Sequence, residues 1–178
     1  MLDSLKIIIL LLGFNTDLDF AYKIDSIPWV DNPKQIIKHF ANLYPVKEGI
    51  SYDKGYYNVY FKAKAFNENC NIKFHFPINQ LNKKVQPLST VGVYFEDDIK
   101  KTKKEMFNRY NNIYKFILHA HGNPLKHEKW GYEKDGIHVT WLTQHSFIEL
   151  YLEHIQEPGY PTEDWLVYLK IHPKWFLR

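Results

Sequence analysis

The chain has 178 residues, of which 45% are apolar and 17% aromatic, a composition that excludes disorder over most of its length. Lys and Arg together number 23 against 20 Asp and Glu, which gives a formal net charge of +3. Arg109 and Arg178 are the only arginines, which argues against a nucleic-acid partner because phosphate and base recognition relies on the guanidinium fork. Cys70 is the only cysteine, so an internal disulfide and a thiolate zinc cluster are excluded.

The N-terminus contains a continuous apolar run, IIILLLGF, at residues 7–14. This run is long enough for the core of a signal peptide and too short to span a bilayer. We therefore expect residues 1–21 to be a signal peptide or N-terminal apolar segment, followed by one domain over residues 22–178. The protein is then periplasmic or secreted. If the run belongs to the folded core, the protein is cytoplasmic, and contact with a membrane is expected only through an uncleaved N-terminal segment.

A first helix is predicted to begin at Asn32, with Pro33 as its first helical residue and Gln35 as the reciprocal arm of a capping box. Pro45 is expected to end this helix. Apolar and polar residues then alternate over residues 57–65, 72–76 and 91–95, which predicts three strands. The first two are expected to form a hairpin around a turn at residues 67–69.

Residues 97–122 form the longest helical pattern in the chain. Asp97 or Asp98 is expected to cap this second helix, and Gly122 followed by Pro124 is expected to end it. Its predicted apolar face comprises Met106, Phe107, Tyr110, Ile113, Tyr114, Ile117, Leu118 and His121. A second set of alternating segments follows at residues 137–141, 148–152 and 165–171, and predicts further strands.

The order of helix, three strands, helix and three strands predicts an α+β domain built on an antiparallel sheet. Two helices are expected to pack on one face, as two copies of an α-β-β-β unit. The predicted modules span residues 27–96 and 97–155, and residues 156–178 form a C-terminal strand and tail. The polar positions of the strands are rich in Lys, Tyr and Glu, so the other sheet face is expected to meet solvent or a partner.

Several positions carry a resemblance to a known group of proteins. Ile27-Pro28-Trp29 precedes the first helix, Gly122 and Pro124 follow the second, and Trp130 precedes the strand that contains Ile137 and Val139. This pattern resembles small exported bacterial proteins that repeat a helix-plus-meander unit, as in the β-lactamase-inhibitor-protein-like and TBP-like folds. The resemblance covers residues 27–155 and also extends to bacterial immunity proteins. It implies a binding or inhibitory module and no catalytic residues.

A few other side chains could support a different chemistry. His119, His121 and His127 are the best metal-ligand candidates, and they support an alternative hypothesis of a small metal-binding protein or hydrolase. His119 and His121 are two positions apart, however, and do not face each other on a helix. The lysines of residues 100–104 are expected to form a solvated helix face. We predict no metal, no cofactor and no catalytic residue.

The aromatic content supports a binding function, because Tyr and Trp are enriched at protein interfaces. The sequence predicts a non-enzymatic protein-binding module of the bacterial cell envelope, of the immunity or inhibitor kind, that occludes a partner such as a toxin or an enzyme. Trp130, Tyr132, Glu149 and Tyr151 are the predicted binding residues. A structural protein of the envelope is a further alternative.

Overall fold

The computed structural model describes residues 19–40, 46–51, 55–95, 101–130, 135–155 and 164–177. Within these ranges the chain forms two α-helices and one eight-stranded sheet. The helices are α1 (Pro33–Phe40) and α2 (Lys103–His121), and 3-10 helices cover Phe20–Ser26 and Lys174–Leu177. The strands are β1 (Val46–Ser51), β2 (Tyr56–Ala65), β3 (Glu68–Pro77), β4 (Thr90–Phe95), β5 (Lys126–Trp130), β6 (Gly136–Leu142), β7 (Ser146–Ile155) and β8 (Asp164–Pro173). The predicted α+β class with an antiparallel sheet is confirmed.

The strand order is β1-β2-β3-β4-β8-β7-β6-β5, and every neighbouring pair is antiparallel. α1 precedes β1 to β4, and α2 precedes β5 to β8, so the two halves meet at β4 and β8. The repeated unit therefore has four strands, which corrects the prediction of three. The predicted second module at residues 97–155 also omits β8, the strand that joins the halves. The missed strands β1 and β5 are the two ends of the described strand order, where one flank has no partner among the described strands and the apolar alternation is weak.

The first helix begins as predicted. The Asn32 N–H donates to Gln35 Oε1 over 2.9 Å, and the Gln35 N–H donates to Asn32 Oδ1 over 3.1 Å. This is the reciprocal capping box, and Pro33 is the first helical residue. The predicted stop at Pro45 lies outside the described residues.

The second helix begins later than predicted. Its N-cap is Thr102, whose side chain accepts from the Glu105 N–H over 3.3 Å, while Glu105 Oε2 accepts from the Thr102 N–H over 2.7 Å. The prediction of a helix from Asp97 with an aspartate cap is therefore wrong. The helix begins at Thr102 instead because the capping box of Thr102 and Glu105 satisfies two backbone donors at the helix start. The predicted end is confirmed, since Gly122 is the C-cap with a φ of 80° and its N–H donates to the Leu118 carbonyl over 2.9 Å.

Both helices pack on the same sheet face. The ring centroid of Phe40 in α1 lies 5.8 Å from that of Phe61 on β2, and the ring centroid of Phe107 in α2 lies 5.4 Å from that of Trp165 on β8. The core combines these helices, the first 3-10 helix, the segment after it and Leu88 with one alternate set of strand residues, and this alternation is as the strand patterns predict. No helix in the described ranges is both long enough and apolar enough to cross a membrane.

The predicted boundary at residue 21 falls inside the first 3-10 helix. Phe20 has no exposed surface. The Asp19 carboxylate accepts from the Ala21 and Phe66 N–H groups at Oδ1, over 2.9 and 3.0 Å, and from the Asn67 N–H at Oδ2 over 2.8 Å. Residues 19–21 therefore contribute to the folded domain. The apolar run at residues 7–14 lies outside the described residues, and the signal peptide stays a prediction.

A buried ion pair joins α2 to the start of β3. Arg109 is buried, and its Nε and Nη2 atoms donate to Glu68 Oε2 over 2.7 and 2.5 Å. Lys101 reaches the same oxygen over 3.1 Å. Burial alone would raise the pKa of Glu68, but the two cations outweigh it and hold that pKa below its ordinary value of 4.5. Among the predicted surface lysines, Lys101 thus has a defined partner, and Lys103 lies 4.5 Å from the ring centroid of Trp165.

Candidate functional site

Within the described residues, the sheet face opposite the helices carries no α-helix and is called the open face below. Strand register places one residue from each of seven strands in a single row across it. From β2 to β5 the row consists of Lys62, Asn71, Tyr94, Tyr168, Tyr151, His138 and Glu128. It has an aromatic centre, a cation at one end and a carboxylate at the other.

The four rings at the centre of this row stack on one another. Tyr94 and Tyr168 have centroids 6.1 Å apart, Tyr168 and Tyr151 4.8 Å, and Tyr151 and His138 4.3 Å. The angles between successive ring planes are 21°, 14° and 4°. Because neighbouring strands are about 4.8 Å apart, each ring stands beside the ring on the next strand. Both faces of Tyr168 and Tyr151 are thus covered by neighbours.

A glycine makes room for the first ring of the stack. A Cβ atom added to Gly92 would lie 2.4 Å from Cε2 of Tyr94 and 2.8 Å from its Cζ and hydroxyl oxygen. These distances are shorter than van der Waals contact. The Tyr94 ring therefore lies over Gly92 along β4, in a position that a larger residue at 92 would obstruct.

Glu149 on β7 is the centre of a polar network beside the stack. Its Oε1 atom lies 3.1 Å from His138 Nε2 and accepts from the Tyr151 hydroxyl over 2.9 Å, while Oε2 lies 2.9 Å from His172 Nε2. His138 Nδ1 lies 3.1 Å from Glu128 Oε1, and His172 Nδ1 lies 3.2 Å from Thr90 Oγ1. Both ring nitrogens of each histidine, and both oxygens of Glu149, are thus engaged.

The network sets the protonation of its carboxyl and hydroxyl groups. Burial alone would raise the pKa of Glu149, but hydrogen bonds from His172 and Tyr151 outweigh it and hold the pKa below its ordinary value of 4.5. Burial and the adjacent Glu149 charge raise the pKa of Tyr151. Glu149 is therefore ionised and Tyr151 is neutral at pH 7. Ionised carboxylates only accept, so both His138 contacts are hydrogen bonds only when both ring nitrogens carry protons.

Charged side chains border the stack along β7 and β8. Lys170 Nζ lies 5.2 Å from the ring centroid of Tyr151 and 5.5 Å from that of Tyr168. The Tyr168 hydroxyl donates to Glu153 Oε2 over 2.9 Å. Burial is the larger cause, and this hydrogen bond the smaller one, of a raised pKa at Tyr168. Tyr168, Tyr151 and His138 are therefore each fixed by stacking and by at least one polar contact, which holds this part of the surface in one arrangement.

The structure brings together two of the four predicted binding residues. Glu149 and Tyr151 are hydrogen-bonded, although Tyr151 is only 5% exposed. Trp130 is the last residue of β5, opposite Gly136 on β6, and Tyr132 lies outside the described residues. The sequence did not predict the other members of the site: Thr90, Tyr94, Glu128, His138, Glu153, Tyr168, Lys170 and His172. Their alternation with apolar neighbours indicates the sheet face on which they lie. It does not indicate that they come together on that face.

The three candidate metal-ligand histidines do not converge. His121 Nδ1 lies 3.6 Å from Asp25 Oδ2, and His127 packs on Tyr114 with ring centroids 6.0 Å apart. His119 is exposed on the last turn of α2. In the part of the chain that the structure describes, no three His, Cys, Asp or Glu side chains form a group that could hold a metal ion.

Comparison of the chain with protein-family models, with curated proteins and with solved structures found no match. The geometry and the charges of the open face are therefore the basis for assigning a function.

Proposed function

We propose that the protein is a non-enzymatic binding module whose open face contacts another protein. The observation that carries this proposal is the stacked row Tyr94, Tyr168, Tyr151 and His138, bordered by charged side chains on a sheet face that no α-helix of the described ranges covers. Aromatic side chains held in one conformation lose little entropy on binding, which is the property of strong interface residues. A rigid face of this kind suits a pre-organised protein interface.

The covered ring faces favour a protein partner over a small ligand that would bind by stacking on an aromatic side chain. A nucleobase or a sugar ring binds to the exposed face of an aromatic side chain. Tyr168 has Tyr94 on one side and Tyr151 on the other, so neither of its faces is available. The ring edges and the surrounding Lys and Glu side chains can make the mixed polar and apolar contacts that are typical of a protein interface.

The pairing of the ionisable groups favours binding over catalysis. A general base needs a lone pair that can reach a substrate proton. At Glu149, three side chains already use the two oxygens, and His172 is held between Glu149 and Thr90. Freeing either group would break charge-assisted hydrogen bonds that contribute about 1.5–3 kcal/mol each.

The resemblance to exported helix-plus-meander proteins supports a more specific role as an immunity or inhibitor protein. In this proposal the open face covers the active cleft of a toxin or enzyme and blocks access to it. The charged residues around the stack, such as Lys170 and Glu153, set the orientation of the partner. The apolar run at residues 7–14 supports a periplasmic or secreted location.

Site-specific photo-crosslinking in the cells that produce the protein tests this proposal. A benzophenone side chain replaces Tyr168 or Lys170 on the open face, and the matched control carries it at Lys115, which is exposed on α2. We expect one discrete protein adduct from the two open-face positions and none from the control. Equal labelling at Lys115, or no adduct from either open-face position, would reject the proposed face.

The captured partner is then purified and its affinity is measured directly. Lys170→Glu is expected to weaken binding by about tenfold or more, because it reverses a charge next to the stack. Lys115→Glu should leave the affinity unchanged. If the partner is a toxin or an enzyme, the intact protein should inhibit it at equimolar concentration, and Lys170→Glu should inhibit it less.

A further inference from the structure

An open cleft of about 720 Å³ lies at one end of the sheet. It is formed by the turn between β6 and β7, the segment that follows the first 3-10 helix, and the C-terminal 3-10 helix. Buried Ile27 and Trp29 contribute apolar surface to it, and Leu142 and Trp175 line it with 42% and 53% of their surfaces exposed. A concave apolar site with a few polar groups is the usual form of a binding pocket.

Hydrogen bonds hold this cleft in shape. The Trp29 indole N–H donates to Ser146 Oγ over 3.2 Å, and both residues are buried. The Lys174 N–H donates to the His145 carbonyl over 3.0 Å, which ties the C-terminal 3-10 helix to the β6–β7 turn. The cleft is therefore pre-organised, which lowers the entropic cost of binding.

The cleft adjoins the open face. Leu142 ends β6 on the same side as His138 and Thr140, and strand register sets Leu142 opposite Phe147 and Phe147 opposite His172. A partner bound over the ring stack could therefore extend into the cleft along one continuous surface. Exposed large apolar side chains next to a concavity mark interaction sites more reliably than isolated ones.

The rim of the cleft carries a positive charge at Lys174. Lys174 is exposed, and its ammonium group has no carboxylate partner within the described residues. Asp25, the carboxylate of the cleft, lies 3.6 Å from His121. An acidic group on the occupant would complement Lys174.

We propose that the cleft receives a polypeptide segment of the partner, which inserts a large apolar side chain between Leu142 and Trp175 and places a carboxylate against Lys174. The wide mouth favours a segment over a small molecule, because the flanks of a segment also cover the rim at Gln144 and His145. The identity of the occupant as a partner segment rests on the proposed function. The cleft itself can be tested without the partner.

The test is an NMR titration that follows the Trp175 indole N–H and the backbone amides of residues 142–145 and 174. The probes are the peptide acetyl-Gly-Ser-Phe-Glu-Ser-Gly-amide, its counterpart with Gln in place of Glu, and N-acetyl-phenylalanine. We expect the acidic peptide to shift these signals and to bind about fivefold more tightly than the neutral peptide. It should also bind more tightly than N-acetyl-phenylalanine, which has no flanks.

Variants then separate the apolar and the charged contributions. Lys174→Glu should remove the preference for the acidic peptide, and Leu142→Ser with Trp175→Ala should abolish binding of both peptides. Leu81→Ser changes an exposed leucine outside the cleft and should have no effect. Absence of shifts at the cleft, an equal effect of Leu81→Ser, or tighter binding of N-acetyl-phenylalanine than of the peptide would overturn the proposal.

The same titration distinguishes this proposal from the proposed function. Lys115→Glu, at an exposed position of α2 outside the cleft, should leave peptide binding unchanged. Peptide binding at the cleft without crosslinks from the open face would keep the cleft as a site and reject the open-face interface. Crosslinks from the open face without peptide binding at the cleft would reject the cleft as a site and keep the open-face interface.

Discussion

Oε2 of Glu149 lies 2.9 Å from Nε2 of His172, a contact between the neighbouring strands β7 and β8. Through Oε1 the same carboxylate also reaches His138 on β6. One side chain thus links three strands of the open face.

Glu149→Gln should reduce the free energy of unfolding by about 2 kcal/mol at neutral pH, because the charge of the acceptor is lost. The folded-state pKa of Glu149 lies below its ordinary value of 4.5, so this stabilisation is present above pH 4.5 and is lost as the pH falls through the folded pKa. The difference between wild type and Glu149→Gln should therefore shrink below pH 4.5. Urea denaturation at several pH values measures it.

Glu153→Gln is the matched control for this prediction, because it lies on the same strand and face. The Gln oxygen can still accept from the Tyr168 hydroxyl, so the expected loss is below about 1 kcal/mol. A Glu149→Gln protein as stable as wild type, or a difference that is constant with pH, would contradict the assigned network.

Gly92→Ala should displace the Tyr94 ring and reduce stability by about 1–2 kcal/mol, because the added Cβ would lie 2.4 Å from Cε2 of that ring. In a Tyr94→Ala background the ring is absent, and Gly92→Ala should be neutral or slightly stabilising. A double-mutant cycle in urea measures the coupling. If the two substitutions are additive, the ring does not occupy the space over Gly92.

Asp19→Ala should reduce stability by about 2–4 kcal/mol, since the carboxylate accepts from three backbone N–H groups. Two of these donors, Phe66 and Asn67, have positive φ values of 55° and 63° in the turn between β2 and β3. Adding Asn67→Gly should restore part of the lost stability, because glycine adopts this conformation without steric cost. Thermal unfolding compares the single and the double variant.

The half-exposed Asp25 provides the control for Asp19. Asp25→Ala should change stability by no more than about 0.5 kcal/mol, as is usual for surface substitutions. An equal loss for Asp19→Ala and Asp25→Ala would mean that Asp19 does not hold the turn.

Asn58→Leu should stabilise the protein by about 1–3 kcal/mol. Asn58 on β2 is 1% exposed, and among the described residues neither its side-chain nitrogen nor its side-chain oxygen has a hydrogen-bond partner. Leucine has a similar volume and leaves no polar atom unsatisfied. Asn71→Leu, at a half-buried position on the same face, should change stability by no more than about 0.5 kcal/mol. Destabilisation by Asn58→Leu, measured in urea, would show that the amide is engaged.

Local patterns predicted much of the fold. The Asn32–Gln35 capping box and the Gly122 C-cap were correct, because such signals act within a few residues. The same rule applied to Thr102 and Glu105 would have located the start of α2. The edge strand β5 has no comparable signal, since its residues do not alternate between core and solvent.

The candidate site was predicted only in part. Glu149 and Tyr151 are two residues apart on one strand, so strand periodicity alone places them on the same face. His138 and His172 are 34 positions apart in the chain and also contact Glu149. These contacts form only because β8 lies between β4 and β7 in the sheet. No short-range sequence pattern specifies that strand order.

The sequence by itself determined the α+β class, most of the elements and the face on which each strand residue lies, because capping and alternation are properties of adjacent residues. Only the tertiary structure decided the strand order, the register and the row of stacked rings. These arise from pairing between segments far apart in the chain, where the burial of both halves selects one arrangement. The open face and its network are consequences of that selection.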